Sequence, residues 1–137
     1  MKAIETDYFK IMQPNPSEPQ DKSVKGDCVV RAFAIAGDLT WLEAYDLLAA
    51  NARKTYNMPN DKHNYDTVFQ EFGFKRMKMG LTANRKRTTV EQFCKTHPKG
   101  RYILRLAHHL SAVVNGVCYD TWNPARLTIY HYYEFME

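Results

Sequence analysis

The chain has 137 residues, of which 45% are hydrophobic and 25% charged, and a net charge of +4. This suffices for one domain with one core, excludes a disordered polyelectrolyte, and leaves no room for a second core. Three cysteines, an odd and low count, speak against a disulfide-stapled secreted scaffold. Met1 to Lys10 carries charges and lacks an apolar signal region, and no apolar run approaches the ~20 residues of a membrane span. The expected setting is therefore the cytoplasm, with no membrane partner.

A single domain over residues 1–137 is expected to open with an irregular leader over residues 1–27, where Pro14, Pro16 and Pro19 alternate with polar residues. From Cys28 to Ala36 the chain turns almost wholly apolar and Ala-rich, which predicts a buried helix with Asp27 at its N-cap and Gly37 as its stop. Thr40 and Glu43 have capping-box spacing ahead of the stripe Trp41, Tyr45, Leu48 and Ala52, so a second helix follows and fades at Arg53-Lys54. A third, shorter helix is expected from about Asn64 to Phe72, ended by Gly73, and a short strand over Phe74–Met79. The block Asn84-Arg85-Lys86-Arg87 reads as a solvated basic loop. Nucleic-acid binding through Lys75 to Arg87 is the minor alternative, since no zinc-finger spacing or long basic helix supports it.

Thr88 and Glu91 repeat the capping-box spacing before a fourth helix, which His97-Pro98-Lys99-Gly100 ends. The period then changes. Tyr102–Leu106 and His109–Val114 read as strands, Asn115-Gly116 is a hairpin turn, Val117–Thr121 is its partner strand, and Leu127–Phe135 is the last. The fold class is α+β, with N-terminal helices packed on a C-terminal antiparallel sheet.

Three residues form a candidate catalytic set: Cys28, His109 and Asp120. A thiol in the first turn of a helix is stabilised as thiolate by the helix dipole, and free N–H groups there can receive an oxyanion. The plainer alternative is that Cys28 is a small core hydrophobe. His109 could take and return a proton, whereas its neighbour His108 faces the opposite way; a pair of structural histidines is the alternative. Cys94 and Cys118 lack metal-ligand spacing, so no metal and no cofactor are expected. With Asn115-Gly116 as a two-residue turn, Val114 faces Val117, Ser111 faces Asp120 and His109 faces Trp122. His109, Ser111, Cys118, Asp120 and Trp122 then share one face, with Asp120 diagonal to His109. Asn123 competes for the third position, near where the strand ends.

The segment Gly26-Asp-Cys-Val-Val-Arg-Ala32 resembles the nucleophile segment of small papain-like cysteine peptidases of the bacteriocin-processing type, found in bacteria and their phages. Gly100-Arg-Tyr-Ile-Leu-Arg-Leu, His109-Leu-Ser-Ala-Val-Val-Asn-Gly and Tyr119-Asp-Thr-Trp-Asn123 are similar to the His and acidic strands of that superfamily. The resemblance covers roughly residues 26 to 123. It implies a papain-like fold and cleavage of a peptide or amide bond in a peptide or protein substrate, with Cys28 as nucleophile, His109 as base and Asp120 as its orienter. The family often has Gly directly before the histidine, where this chain has His108. It also uses an upstream Gln or Asn as oxyanion donor, for which Gln20, eight residues before Cys28, is the candidate, with a backbone N–H as the alternative. A non-catalytic papain-like module that binds a protein is the second reading.

Overall fold

The computed structural model describes residues 4–23 and 25–136. Residues 1–3 and Val24 of the expected leader lie outside the described residues. In chain order the elements are β1 (Phe9–Ile11), α1 (Cys28–Gly37), α2 (Trp41–Thr55), α3 (Lys62–Phe72), β2 (Phe74–Lys78), α4 (Val90–Thr96), β3 (Arg101–Leu106), β4 (His109–Val114), β5 (Val117–Asp120) and β6 (His131–Phe135). The strands form one six-stranded sheet in the order β1-β5-β4-β3-β6-β2. Helices precede most of the sheet, as the pattern predicts, and the class is α+β.

The sheet alternation divides the core. Ile103, Leu110, Ala112 and Tyr133 face α1, α2 and α3, where they join Phe33, Leu48 and Phe69. Tyr102, Leu104, Leu106, Val113, Cys118 and Tyr132 point the other way, against Val90, Phe93 and Cys94 of α4. Burial on both faces explains why β3 and β4 read as nearly continuous apolar runs.

Several expectations need correcting. The leader is not irregular throughout: Phe9–Ile11 pairs in parallel with β5, Phe9 opposite Cys118 and Ile11 opposite Asp120. The sheet is therefore mixed, and it also recruits β2 from the middle of the chain by antiparallel pairing with β6. A three-residue strand with one fully buried side chain offers too short an alternation to read. Gly37 does not stop α1 but is its last residue; Asp38 is the left-handed cap, with φ 54°. α3 begins two residues earlier than Asn64, because Asp61 caps it through the His63 N–H. The capping box of α4 is Thr89 with Gln92, one residue later than Thr88 with Glu91, and Gln completes the box as well as Glu. The last strand is limited to His131–Phe135. The Thr40–Glu43 box of α2 is present as expected.

The hairpin has the expected register: Val114 pairs with Val117, Val113 with Cys118 and Ala112 with Tyr119. Asn115 and Gly116 have φ of 50° and 78°, the pair of positive angles that a tight two-residue hairpin turn needs. No described helix is long and apolar enough to cross a membrane.

Candidate active site

The end of the sheet where β4 begins and β5 ends collects the polar buried groups. His109 and Asp120 are both buried, and His109 Nε2 lies 2.7 Å from Asp120 Oδ2. The same carboxylate oxygen accepts the Ser111 hydroxyl at 2.6 Å, while Oδ1 accepts the Thr121 backbone N–H at 2.7 Å. The carboxylate is thus held from three directions. Trp122 packs against the imidazole at a tilt of 40°, ring centroids 4.7 Å apart. This is the same-face set that the Asn115-Gly116 turn predicts.

Cys28, the first residue of α1, reaches this end from the helical layer. Burial alone would push its thiol up. The neighbouring His109 imidazole, the Leu110 backbone N–H and the positive charges of His109 and Arg31 together outweigh this, and the thiol lies below its ordinary value. Since Asp120 holds Nε2, Nδ1 is the ring atom left for the thiol. The Leu110 N–H is free for it because of hairpin parity. Val114 and Val117 flank the turn, so alternate residues of β4 direct their backbone groups at β5; the ladder stops at Ala112–Tyr119, one such step before Leu110. Burial likewise opposes the charged form of His109. Its hydrogen bond with Asp120, then that with Cys28, overcome this and raise the imidazole to about 9. A lowered thiol beside a raised imidazole shifts the pair toward thiolate and imidazolium.

The other thiols differ. Burial pushes Cys94 up to about 11 and Cys118 well above its ordinary value, with the Asp120 charge adding to the latter. Cys118 contacts the Ser111 hydroxyl at 3.2 Å and stays fully inside. Asn123 is exposed, and its side chain accepts the Ala125 N–H at 2.9 Å within its own turn. Gln20 is exposed on the leader. His108 is also exposed, at a φ of 54° in the β3–β4 turn.

A second layer of polar residues, which sequence reasoning missed, braces the site. Asp27 stands at the N-cap of α1, but its carboxylate makes no cap bond. It accepts instead from Asn15 at 3.1 Å, Trp41 Nε1 at 2.9 Å and Ser23 at 2.9 Å, and pairs with Arg31 Nε at 3.2 Å. Burial opposes its ionisation, but these bonds and the Arg31 charge hold it below the usual carboxylate range. Arg31, also buried, donates through Nη1 to Thr121 Oγ1 at 3.2 Å. A chain of bonds thereby runs from the leader through Asp27, Arg31 and Thr121 to the Asp120 carboxylate. The lone Arg within the apolar run 28–36 was its one visible signal. The backbone adds a further tie, Met12 N–H to Asp120 O at 3.0 Å.

Among the described residues no group of three or more His, Cys, Asp or Glu is arranged to hold a metal ion. Comparison of the chain with protein-family models, curated proteins and solved structures returned no match.

Proposed function

We propose that this chain is a papain-like cysteine hydrolase that cleaves a peptide or amide bond with Cys28 as nucleophile, His109 as proton shuttle and Asp120 as the group that orients it. One observation carries the reading: His109 is bonded to Asp120 at 2.7 Å and is coupled to a thiol that it brings below its ordinary value. In the reaction the Cys28 thiolate adds to the carbonyl carbon. The C–N bond then breaks, and the His109 imidazolium gives its proton to the departing amine. Water, deprotonated by the neutral imidazole, cleaves the thioester, and the sulfur leaves as thiolate, restoring its pairing with the imidazolium. Asp120 keeps Nε2 protonated and balances the imidazolium charge. The carboxylate of Asp27 leaves the α1 N-terminus uncapped, so first-turn N–H groups are the oxyanion donors in this scheme, in preference to the exposed Gln20. Three free cysteines fit a cytoplasmic location.

The test is labelling with iodoacetamide at pH 7 followed by peptide mapping. Cys28 should be modified first, and Cys94 and Cys118 only after unfolding. Modification of Cys94 or Cys118 ahead of Cys28 would remove the thiol from the reaction and leave the protein-binding module as the better reading.

A further inference from the structure

On the face of the sheet that α1, α2 and α3 cover lies a cavity of about 300 Å³ between the start of α3 and strands β2, β3 and β6. Lys62, Arg76 and Arg105 line it against a single carboxylate, Asp66. That carboxylate is already engaged, by the Tyr133 hydroxyl at 2.6 Å, Gln70 at 2.9 Å and Arg76 at 3.5 Å. Among the described residues neither Lys62 nor Arg105 has an ion-pair partner. The cavity therefore carries uncompensated positive charge. His131 on its wall is driven down to about 4, first by burial and then by the charges of Arg76 and Arg105. The rim adds Tyr130, with Arg87 of the basic loop 4.4 Å above its ring.

The strand register ties this cavity to the thiol. Arg105 on β3 pairs with Leu110 on β4, whose N–H bonds Cys28, and with His131 on β6. Tyr65, a buried wall residue of α3, has its hydroxyl within reach of the charges of both Arg105 and Cys28. Arg105, on the cavity wall, is thus one strand, about 5 Å, from the Leu110 backbone.

We propose that this cavity is the subsite that receives a carboxylate of the peptide substrate, so that the enzyme selects peptides with an acidic group beside the scissile bond. The proposal rests on the hydrolase reading above. An acidic side chain and a free C-terminal carboxylate offer the same chemistry. A nucleic-acid strand fits less well: its phosphates follow an extended basic groove with stacking aromatics, whereas here the cations converge on a small enclosure.

The experiment measures second-order labelling rates of Cys28 by intact mass and peptide mapping, with two matched pairs of electrophiles. Acetyl-Glu-Gly and acetyl-Gln-Gly chloromethyl ketones probe the side chain; iodoacetyl-glycine and iodoacetyl-glycinamide probe the terminal carboxylate. In each the thiolate sulfur forms a bond to the methylene carbon and halide leaves. At low salt the acidic member of one pair should react about tenfold faster than its neutral partner, and that pair identifies the source. The double variant Lys62→Gln, Arg76→Gln, two exposed positions, should cut this preference to about twofold or less while leaving the neutral probe's rate unchanged. No acidic preference in either pair, or a preference the double variant retains, overturns the carboxylate subsite and leaves the hydrolase standing. Failure of both neutral probes to modify Cys28 overturns the hydrolase and the subsite together. A short single-stranded oligonucleotide that protects Cys28 from the neutral probes, where an acidic peptide does not, replaces the peptide by nucleic acid and overturns the proposal.

Discussion

Replacing Asp120 by Asn removes one charge and turns one acceptor atom into a donor. The carboxylate accepts three bonds: Thr121 N–H on Oδ1, and the Ser111 hydroxyl and His109 Nε2 both on Oδ2. In Asp120→Asn the amide oxygen keeps the Thr121 N–H, so the NH₂ group must replace Oδ2. Ser111 can turn its hydroxyl to accept, or toward Cys118 Sγ at 3.2 Å. His109 has no such rotor. Its Nε2 must become the acceptor, which moves the ring proton to Nδ1, the atom facing Cys28. A ring protonated there cannot take the thiol proton, and the largest influence raising the imidazole is gone as well. Acylation is expected to fall by about 10²–10⁴-fold, and the exchange of a charge-assisted bond for a neutral one should cost about 1–2 kcal/mol of stability. The assay is the burst of nitrophenolate from an activated ester, with urea unfolding of the same preparations. Asn123→Ala, which loses only the bond to the Ala125 N–H, should acylate at the parent rate. Acylation by Asp120→Asn within about twofold of the parent, in a variant that folds, would refute the tautomer argument.

Two further outcomes follow from the buried ionic groups. His109 is raised from 6.5 to about 9, so the folded state holds a proton that the unfolded state releases; its contribution is full below pH 6.5 and disappears as pH rises through 9. Urea unfolding should show a loss of roughly 1–3 kcal/mol across that window in the parent and a clearly smaller one in His109→Gln; equal losses would assign the effect to other groups. Arg31→Gln leaves the buried Asp27 carboxylate without its cation and should cost about 3 kcal/mol at pH 7, read as a lower urea midpoint at unchanged slope. Because Asp27 is held below the usual range, the deficit should shrink as acid protonates it; an unchanged midpoint at pH 7 would show that Asn15, Ser23 and Trp41 suffice.

The hairpin was legible because Asn115-Gly116 permits one tight turn, and that turn dictates which side chains share a face with His109. The helix caps were legible to within a residue or two, since Ser, Thr and Asp compete for neighbouring cap positions; Thr88 and Thr89 are an example. What sequence periodicity could not reveal is contact between elements far apart in the chain. The docking of Phe9–Ile11 beside β5, the conversion of Asp27 from a helix cap to a hub for Asn15, Ser23, Arg31 and Trp41, and the convergence of Lys62, Arg76 and Arg105 all depend on which elements the fold lays side by side. Cys28 had the position of a reactive thiol on a helix, but its coupling to Leu110 required the sheet to lose its ladder one step before the strand ends.

The order of the groups along the chain has a consequence during synthesis. Cys28 leaves the ribosome early, whereas the imidazole that lowers its pKa lies 81 residues downstream and the carboxylate behind that imidazole 92 residues downstream. At ordinary elongation speeds of roughly 5–20 residues per second, the nascent thiol spends about 5–20 s as an ordinary cysteine. The early parallel strand cannot dock until β5 exists. In the proposed mechanism chemical competence is therefore a late event, gained when the closing hairpin meets segments made long before it, and an incompletely translated chain carries Cys28 without the groups that would activate it.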